Sequence, residues 1–165
     1  MDHLWTPWRY HYIKTAGSHD GCALCDALNT AKDDSLFILH RGALCYVILN
    51  LYPYNNGHLM VVTNRHIADL CSASLEELHE LMALARQAQN ALACVYHPEG
   101  FNLGMNIGNC AGAGVHGHLH FHILPRWKGD TNFMTVTSET RVLPETLPQT
   151  YIKLRPFFAS SSTFV

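Results

Sequence analysis

The chain has 165 residues, 48% of them hydrophobic and 15% charged, with a net charge of −2. That length holds one domain with a real core, which excludes a disordered chain, and the near-neutral balance excludes a generic nucleic-acid coat or a polybasic membrane binder. No apolar run reaches the ~18–20 residues that cross a bilayer, and the opening residues lack the apolar stretch of a secretory signal, so a cytoplasmic address without DNA, RNA or membrane partners is expected.

Residues 1–20 mix polar and aromatic side chains without periodicity and read as an arm. Cys22-Ala23-Leu24-Cys25 opens the next segment. Residues 36–40 and 43–49 are apolar, β-leaning runs separated by Arg41-Gly42, a two-residue hairpin signal. The turn cluster Tyr52-Pro53-Tyr54-Asn55-Asn56-Gly57 precedes a third strand at 59–62. Leu75, Leu78, Leu81, Met82, Ala85, Ala88, Leu92 and Val95 then recur at helical spacing, with a capping box at Ser74-Leu75-Glu76-Glu77 and a stop at Pro98 and Gly100. Residues 101–107 alternate strictly, with Asn102, Gly104 and Asn106 on the polar face. Residues 108–114 form a Gly/Ala/Asn/Cys loop, and 118–124 form a second alternating strand stopped by Pro125. From Gly129 the chain carries Pro144, Pro148 and Pro156, and no element is assigned. The order β-β-β-α-β-β predicts an α+β domain with an antiparallel sheet of about five strands and one long helix. Its expected span is 21–128, after the arm of 1–20 and before a C-terminal extension, 129–165, packing on the domain.

The chain has twelve histidines and six cysteines. Six is even, but a chain with this much core has no need of three disulfides and nothing implies export. Reduced thiols, some of them on a metal, are expected. The informative stretch is His118-Leu119-His120-Phe121-His122. On a strand, residues two apart share a face at about 6.5–7 Å, so three imidazoles line one side. Three readings suit such a face: a solvated His-rich surface, a metal centre, or nucleophilic catalysis on a phosphate ester with one imidazole attacking and another holding the oxygens. The preceding loop favours the third, because Gly108-Asn109-Cys110-Ala111-Gly112-Ala113-Gly114 lets backbone N–H groups approach an anion.

His118-Leu-His120-Phe-His122-Ile-Leu124 resembles the His-φ-His-φ-His-φ-φ signature of the histidine triad (HIT) superfamily of nucleotide hydrolases and transferases. Residues 50–64, with Gly57-His58-Leu59-Met60-Val61-Val62, resemble that family's strand-turn-strand before the helix. Pro125-Arg126-Trp127-Lys128-Gly129-Asp130-Thr131-Asn132-Phe133-Met134 and the opening Leu4-Trp5-Thr6-Pro7-Trp8-Arg9 look like the branch containing diadenosine polyphosphate phosphorylases. The resemblance implies a homodimer whose sheets join edge to edge, and a reaction at the α-phosphate of a diadenosine polyphosphate or related nucleotide. It implies His120 as the nucleophile that becomes nucleotidylated and His122 as a contact to the phosphoryl oxygens. Asn50 falls at the ribose-binding position, while Asn106 and the loop at Gly112 and Gly114 would hold phosphates. Gly114 departs from relatives that carry Ser or Gln there, so a side-chain donor to the leaving group is missing.

Neutral imidazole is a competent nucleophile near pH 7, since its unperturbed pKa is about 6.5. With inorganic phosphate as second substrate the enzyme is a phosphorylase; with water it is a hydrolase releasing AMP. The triad does not choose between them. A nucleotide sensor without turnover and a metal-handling protein are the rivals from other classes. One Cys22-x-x-Cys25 is redox-active, two unrelated thiols, or half of a Cys2His2 tetrahedron. In zinc-bearing relatives the remaining ligands resemble His66 and His118, implying a closed, structural zinc site and no catalytic metal. His58 reads as a core residue or a support for another side chain, His116 as solvated. Cys45, Cys71, Cys94 and Cys110 read as free thiols, and Trp127 as the one tryptophan able to approach a second nucleotide.

Overall fold

The computed structural model describes residues 21–130 and 144–159. The arm of residues 1–20, with Trp5 and Trp8, and residues 131–134 of the Pro125 motif lie outside the described residues. Helix α1 (Ala23–Asn29) and a short turn of helix, α2 (Asp33–Leu36), lead into β1 (Ile38–Arg41), β2 (Cys45–Leu49) and β3 (Leu59–Thr63). Helix α3 (Leu75–Tyr96) follows, then β4 (Gly100–Gly104) and β5 (His120–Arg126), and α4 (Leu147–Leu154) and α5 (Pro156–Ala159) close the described chain. The five strands form one antiparallel sheet in the order β1-β2-β3-β5-β4.

Every residue of β2 and β3 is buried, because this sheet is covered on both faces. Odd positions (Cys45, Val47, Leu49, Leu59, Val61, Ile123) meet Leu81, Leu84, Ala85, Ala88, Ala91 and Leu92 of α3. Even positions (Tyr46, Ile48, Met60, Val62) meet Leu24 and Ala27 of α1. The period of two in each strand thus divides one apolar run between two cores. Gly57 turns the chain into β3 with φ +73°, and a Cβ there would stand 2.9 Å from Leu92 Cδ2. Both facts require glycine.

Helix α3 starts as expected. Ser74 Oγ accepts from the Glu77 amide, and the Glu77 carboxylate accepts from the Ser74 amide. The buried stripe differs in detail: Leu84 and Ala91 belong to it, whereas Leu75 and Met82 are exposed. The β1–β2 connection is also longer than a two-residue turn. Arg41 pairs with Tyr46 across the four residues 42–45, and the Gly42 amide donates to the Cys45 carbonyl at 2.8 Å. Glu80 on α3 supplies the reason, because its carboxylate accepts from the Leu44 amide at 2.8 Å and holds this wider loop.

Strand β4 is shorter than the alternation of 101–107 implied. It leaves the sheet after Gly104, the partner of His122. As the edge strand it leaves Leu103 exposed, and Ile107 beyond it is exposed too. Strand β5, by contrast, runs through Pro125 to Arg126. The Pro125 carbonyl accepts from Asn55 Nδ2 beyond the end of β3, so the ring nitrogen faces a side with no ladder bond to lose.

The unassigned tail contains real helices. Thr146 and Gln149 form a capping box, and Pro148 falls in the first turn, where its missing N–H costs nothing. Tyr151, Leu154 and Phe158 complete the α3-side core. The Glu145 carboxylate fastens this segment to the domain, accepting from Asn56 Nδ2 (3.1 Å), Tyr96 Oη (2.5 Å) and Thr150 Oγ1 (3.2 Å) and pairing with Lys153.

Candidate active site

Val62 pairs with His120 and Met60 with His122. The two imidazoles therefore share the α1 face with those residues, while Phe121 and Ile123 turn toward α3. His118 lies just before the strand, where the chain bends. His118, His120 and His122 are all buried, as is His58; His116 is exposed.

The hydrogen bonds fix the proton on each ring. The Tyr54 amide can only donate, and it meets His58 Nδ1 at 3.2 Å. His58 Nδ1 is thus an acceptor, and its Nε2–H donates to His122 Nδ1 at 2.9 Å. His122 must then carry its own proton on Nε2. His120 is the reverse. Its Nδ1 lies 2.7 Å from the His118 carbonyl, which can only accept, so the proton sits on Nδ1 and the Nε2 lone pair is free. The rings of His120 and His122 are 4.8 Å apart and nearly perpendicular, at 82°. One presents an electron pair and its neighbour a hydrogen-bond donor.

Burial keeps these rings neutral. It lowers the pKa of His120. Burial and then the neighbouring His120 lower that of His122 to about 4. Burial, followed by His122 and His120, drives His58 well below the ordinary imidazole value. At pH 7 a lone pair on His120 is available without a metal or an adjacent base.

Space in front of the pair comes from β4. Gly104 stands opposite His122, and a Cβ there would meet nothing within 4 Å. Asn106 is half-buried on the loop after β4, rather than on the strand itself. Gly112, with φ +84°, and Gly114 are half-buried in the same loop, whose Val115 packs on the α1-side core just before the triad. Asn50 lies beside the other end, where its Nδ2 approaches His58 Nδ1 at 3.3 Å and its Oδ1 accepts from the Tyr52 amide at 2.9 Å. Trp127 sits at the far end of β5, its indole N–H donating to the Tyr96 carbonyl at 3.4 Å.

A second cluster adjoins the triad. One donor atom from each of Cys22, Cys25, His66 and His118 lies within 4.8 Å of the others. His118 Nδ1 is 3.3 Å from Cys22 Sγ and 3.4 Å from Cys25 Sγ, and His66 Nδ1 is 3.3 Å from Cys25 Sγ. His118 Nε2–H donates to the Thr63 carbonyl at 2.7 Å, which leaves Nδ1 unprotonated toward the sulfurs. That second bond is the support a ligating imidazole needs. Burial, then the Cys22 side chain and Asp26, pushes the Cys25 thiol up to about 11; a cation between the sulfurs would reverse that preference. Two sulfurs and two imidazoles at this spacing suit a four-coordinate zinc ion. All six cysteines are free thiols.

Several supports of the site and of the fold carry little or no signal of their own in the sequence. The Thr63 and His118 carbonyls left no signal, since every residue has one. Arg65 holds the turn that carries His66 through Nε and Nη2 bonds of 2.7 Å to the buried Glu77 carboxylate. Glu77 was visible only as a capping residue. The capping box at Thr146-Leu-Pro-Gln149 was legible but hidden among prolines.

A family model described as "HIT domain" matches residues 31–129. The chain is 38% identical over 157 residues to the AP-4-A phosphorylase of Mycobacterium tuberculosis, covering 91% of this chain and 80% of that protein. It is 32% identical over 93 residues to the asymmetrical bis(5'-nucleosyl)-tetraphosphatase of Schizosaccharomyces pombe, covering 56% and 50%. Among solved structures, a zinc-bound histidine triad family protein from Mycobacterium smegmatis aligns with a TM-score of 0.67 at 24% identity, over 83% of this chain and 92% of that one.

Proposed function

The chain belongs to the HIT family, and on that footing we propose that it is a diadenosine tetraphosphate phosphorylase working through a nucleotidyl-histidine intermediate. The observation that carries this reading is the pair of imidazoles with opposite free atoms, the His120 Nε2 lone pair and the His122 Nε2–H. The lone pair of His120 Nε2 attacks the α-phosphorus, an N–P bond forms, and the P–O bond to ATP breaks with its electron pair leaving on ATP. His122 Nε2–H donates to a phosphoryl oxygen, where charge grows in the transition state. An oxygen of inorganic phosphate then displaces His120, and AMP leaves as ADP. Asn106 and the loop at Gly112 and Gly114 are assigned to the phosphates. Asn50 is assigned to the ribose through the lone pair that Tyr52 leaves free on Oδ1.

The 38% identity to an AP-4-A phosphorylase over nearly the whole chain favours phosphate as acceptor. Hydrolysis with release of AMP is the second reading, favoured by the shorter match to a tetraphosphatase. Cys22, Cys25, His66 and His118 would hold a structural zinc ion, whose four protein ligands leave no position for substrate. When bound, the ion supplies a cross-link between α1, the turn after β3 and the entry to β5. The open edge of β4, with Leu103 and Ile107 exposed, is the edge assigned to a homodimer. Among the described residues no helix is long and apolar enough to cross a membrane.

The deciding experiment is incubation with diadenosine tetraphosphate, with and without inorganic phosphate, and identification of products. ADP and ATP formed only with phosphate supports the phosphorylase; AMP and ATP regardless of phosphate identifies the hydrolase. Tight binding without turnover identifies a sensor and overturns both enzymatic readings.

A further inference from the structure

We propose that Asp130 and Glu145 are positioning residues for the hydrogen-bond donor at His122, because they clamp the turn that aims His58 at it. The inference deepens the reading above and rests on its assignment of His122 to a phosphoryl oxygen. Glu145 lies beyond residues 31–129, where the family model matches, and Asp130 directly follows them. Consecutive asparagines in the turn reach these carboxylates. Asn55 Nδ2 donates to Asp130 Oδ2 at 3.0 Å and to the Pro125 carbonyl at 3.1 Å. Asn56 Nδ2 donates to Glu145 Oε2 at 3.1 Å.

The main chain of His58 belongs to the sheet, since its carbonyl accepts from the Asn50 amide at 2.9 Å, next to the Leu49–Leu59 pair. Its ring does not. What selects the ring proton is the Tyr54 amide, 3.2 Å from Nδ1, and that amide belongs to the turn. The hydrogen bond between His58 and His122 can run in two senses. Either His58 Nε2–H donates and His122 keeps its proton on Nε2, or His122 Nδ1–H donates and its Nε2 turns a bare lone pair toward the phosphate. The second sense requires a proton on His58 Nδ1, facing the Tyr54 N–H. Two buried donors without an acceptor between them disfavour it. The choice therefore holds only while the turn keeps the Tyr54 amide against the ring.

Packing alone does not fix that turn. Gly57 sits close to Leu92, Tyr96 and Pro125, but beside it a cavity of about 220 Å³ opens between the turn and α4, walled by Leu51, Pro53 and Leu147. Polar bonds span the gap. Glu145 Oε2 alone accepts from Asn56, from Tyr96 at the end of α3 and from Thr150 on α4, while Oε1 pairs with Lys153. Burial opposes ionisation of Glu145, but the bonds from Lys153, Tyr96 and Asn56 outweigh it and keep the carboxyl below its ordinary value. Asp130 ties Asn55 to the strand that carries His122. Arg126, the last residue of β5, grips the Asp130 carboxylate through Nε and Nη2 at 2.5 and 2.8 Å, and Gly129, with φ +81°, lets the chain fold back.

Glu145→Ala and Asn56→Ala remove the Asn56 bond. Glu145→Gln keeps an acceptor oxygen for Asn56, Tyr96 and Thr150, and Lys153→Ala removes only the ion pair of a half-exposed ammonium. The readouts are the urea midpoint, 15N NMR of the His122 ring, and kcat and KM for diadenosine tetraphosphate with phosphate. In Glu145→Ala, Asn56→Ala and Asp130→Ala, kcat is expected to fall about 10- to 100-fold while KM moves little, the cost of a small misplacement remote from the chemistry. The wild-type His122 ring carries its proton on Nε2 alone; in those variants its two nitrogens average. Glu145→Gln and Lys153→Ala retain both the tautomer and kcat, even where their urea midpoints fall.

A single Nε2–H tautomer and undiminished kcat in folded Asn56→Ala would overturn the proposal. So would a kcat that merely tracks the urea midpoint across all the variants, since that is the behaviour of general support for the fold. Should Glu145→Ala and Asp130→Ala fail to fold, Asn56→Ala against Lys153→Ala carries the same comparison, because Asn56→Ala leaves Glu145 its bonds to Tyr96, Thr150 and Lys153. The NMR readout needs no substrate. Absence of turnover in the wild-type protein therefore refutes the proposed function, whereas an unmoved His122 tautomer refutes this inference.

Discussion

The two ends of the His118–His122 run are held by different chemistry. At the His118 end, two sulfurs, a distant imidazole and a main-chain carbonyl converge from α1, the turn after β3 and β3 itself. At the His122 end, a single buried imidazole, His58, passes on the direction of the Tyr54 amide. The first end suits a cation and depends on thiols. The second is neutral and made only of imidazole and backbone. Each end sets the proton on a different ring, and in opposite senses. A pair of chemically identical side chains thereby presents one free lone pair and one N–H donor.

The largest break in this asymmetry is His120→Asn, which removes the lone pair on which the reading rests. Turnover of diadenosine tetraphosphate is expected to fall by on the order of 10^4–10^6, as for loss of a nucleophile elsewhere. Nucleotide affinity should stay within a few-fold, measured by equilibrium binding. His58→Ala breaks the neutral end alone. It leaves His122 Nδ1 without its donor, a defect of about 1–3 kcal/mol, expressed as a 10- to 100-fold fall in kcat, with zinc content unchanged.

Acid separates the ends thermodynamically. The His122 pKa is lowered in the folded state, from 6.5 to about 4, so the unfolded chain binds the extra proton between those values. The contribution of neutrality at this end is complete above pH 6.5. It is lost progressively as pH falls toward 4, by about 3 kcal/mol in total. Glu77 at the Cys/His end is also lowered, from 4.5 to about 2, chiefly by hydrogen bonds from Arg65. Its contribution is present above pH 4.5 and disappears only as pH drops toward 2. Urea unfolding at pH 7, 5 and 4 should show most of the early loss, and His122→Gln should flatten it.

Glu77→Gln sharpens the other side. It weakens the charged clamp on Arg65 beside His66 and one arm of the capping box, at about 1 kcal/mol. A lower midpoint in urea and weaker zinc retention are expected. The smallest effect on the fold belongs to Gly104→Val. A branched side chain suits an edge strand and meets open space. Stability should hold while KM rises, because the added methyls occupy the room before His122.

The fold was largely legible, for a local reason. Alternation in residues 118–124, the capping box at Ser74–Glu77 and the turn before β3 each state their own conformation, although β5 begins only at His120 and His118 falls on the bend before it. The ends of elements were less legible. β4 stops early because it is an edge with no second neighbour, and the β1–β2 loop widens because Glu80, far along the chain, holds it. Leu75 and Met82 kept helical spacing with the core but fall on the solvent side of α3.

The order of side chains along β5 determined by itself that imidazoles at 120 and 122 share a face, since a strand's period of two is a property of the backbone. Which nitrogen of each ring carries the proton was decided only in three dimensions. It depends on carbonyls and amides at Thr63, Tyr54 and His118, groups that every residue possesses and that acquire meaning only by position. The meeting of Cys22 with His118, 96 residues apart, was likewise settled by the packing of α1 on the sheet. Spacing can nominate ligands, but a folded core has to bring them within reach of one ion.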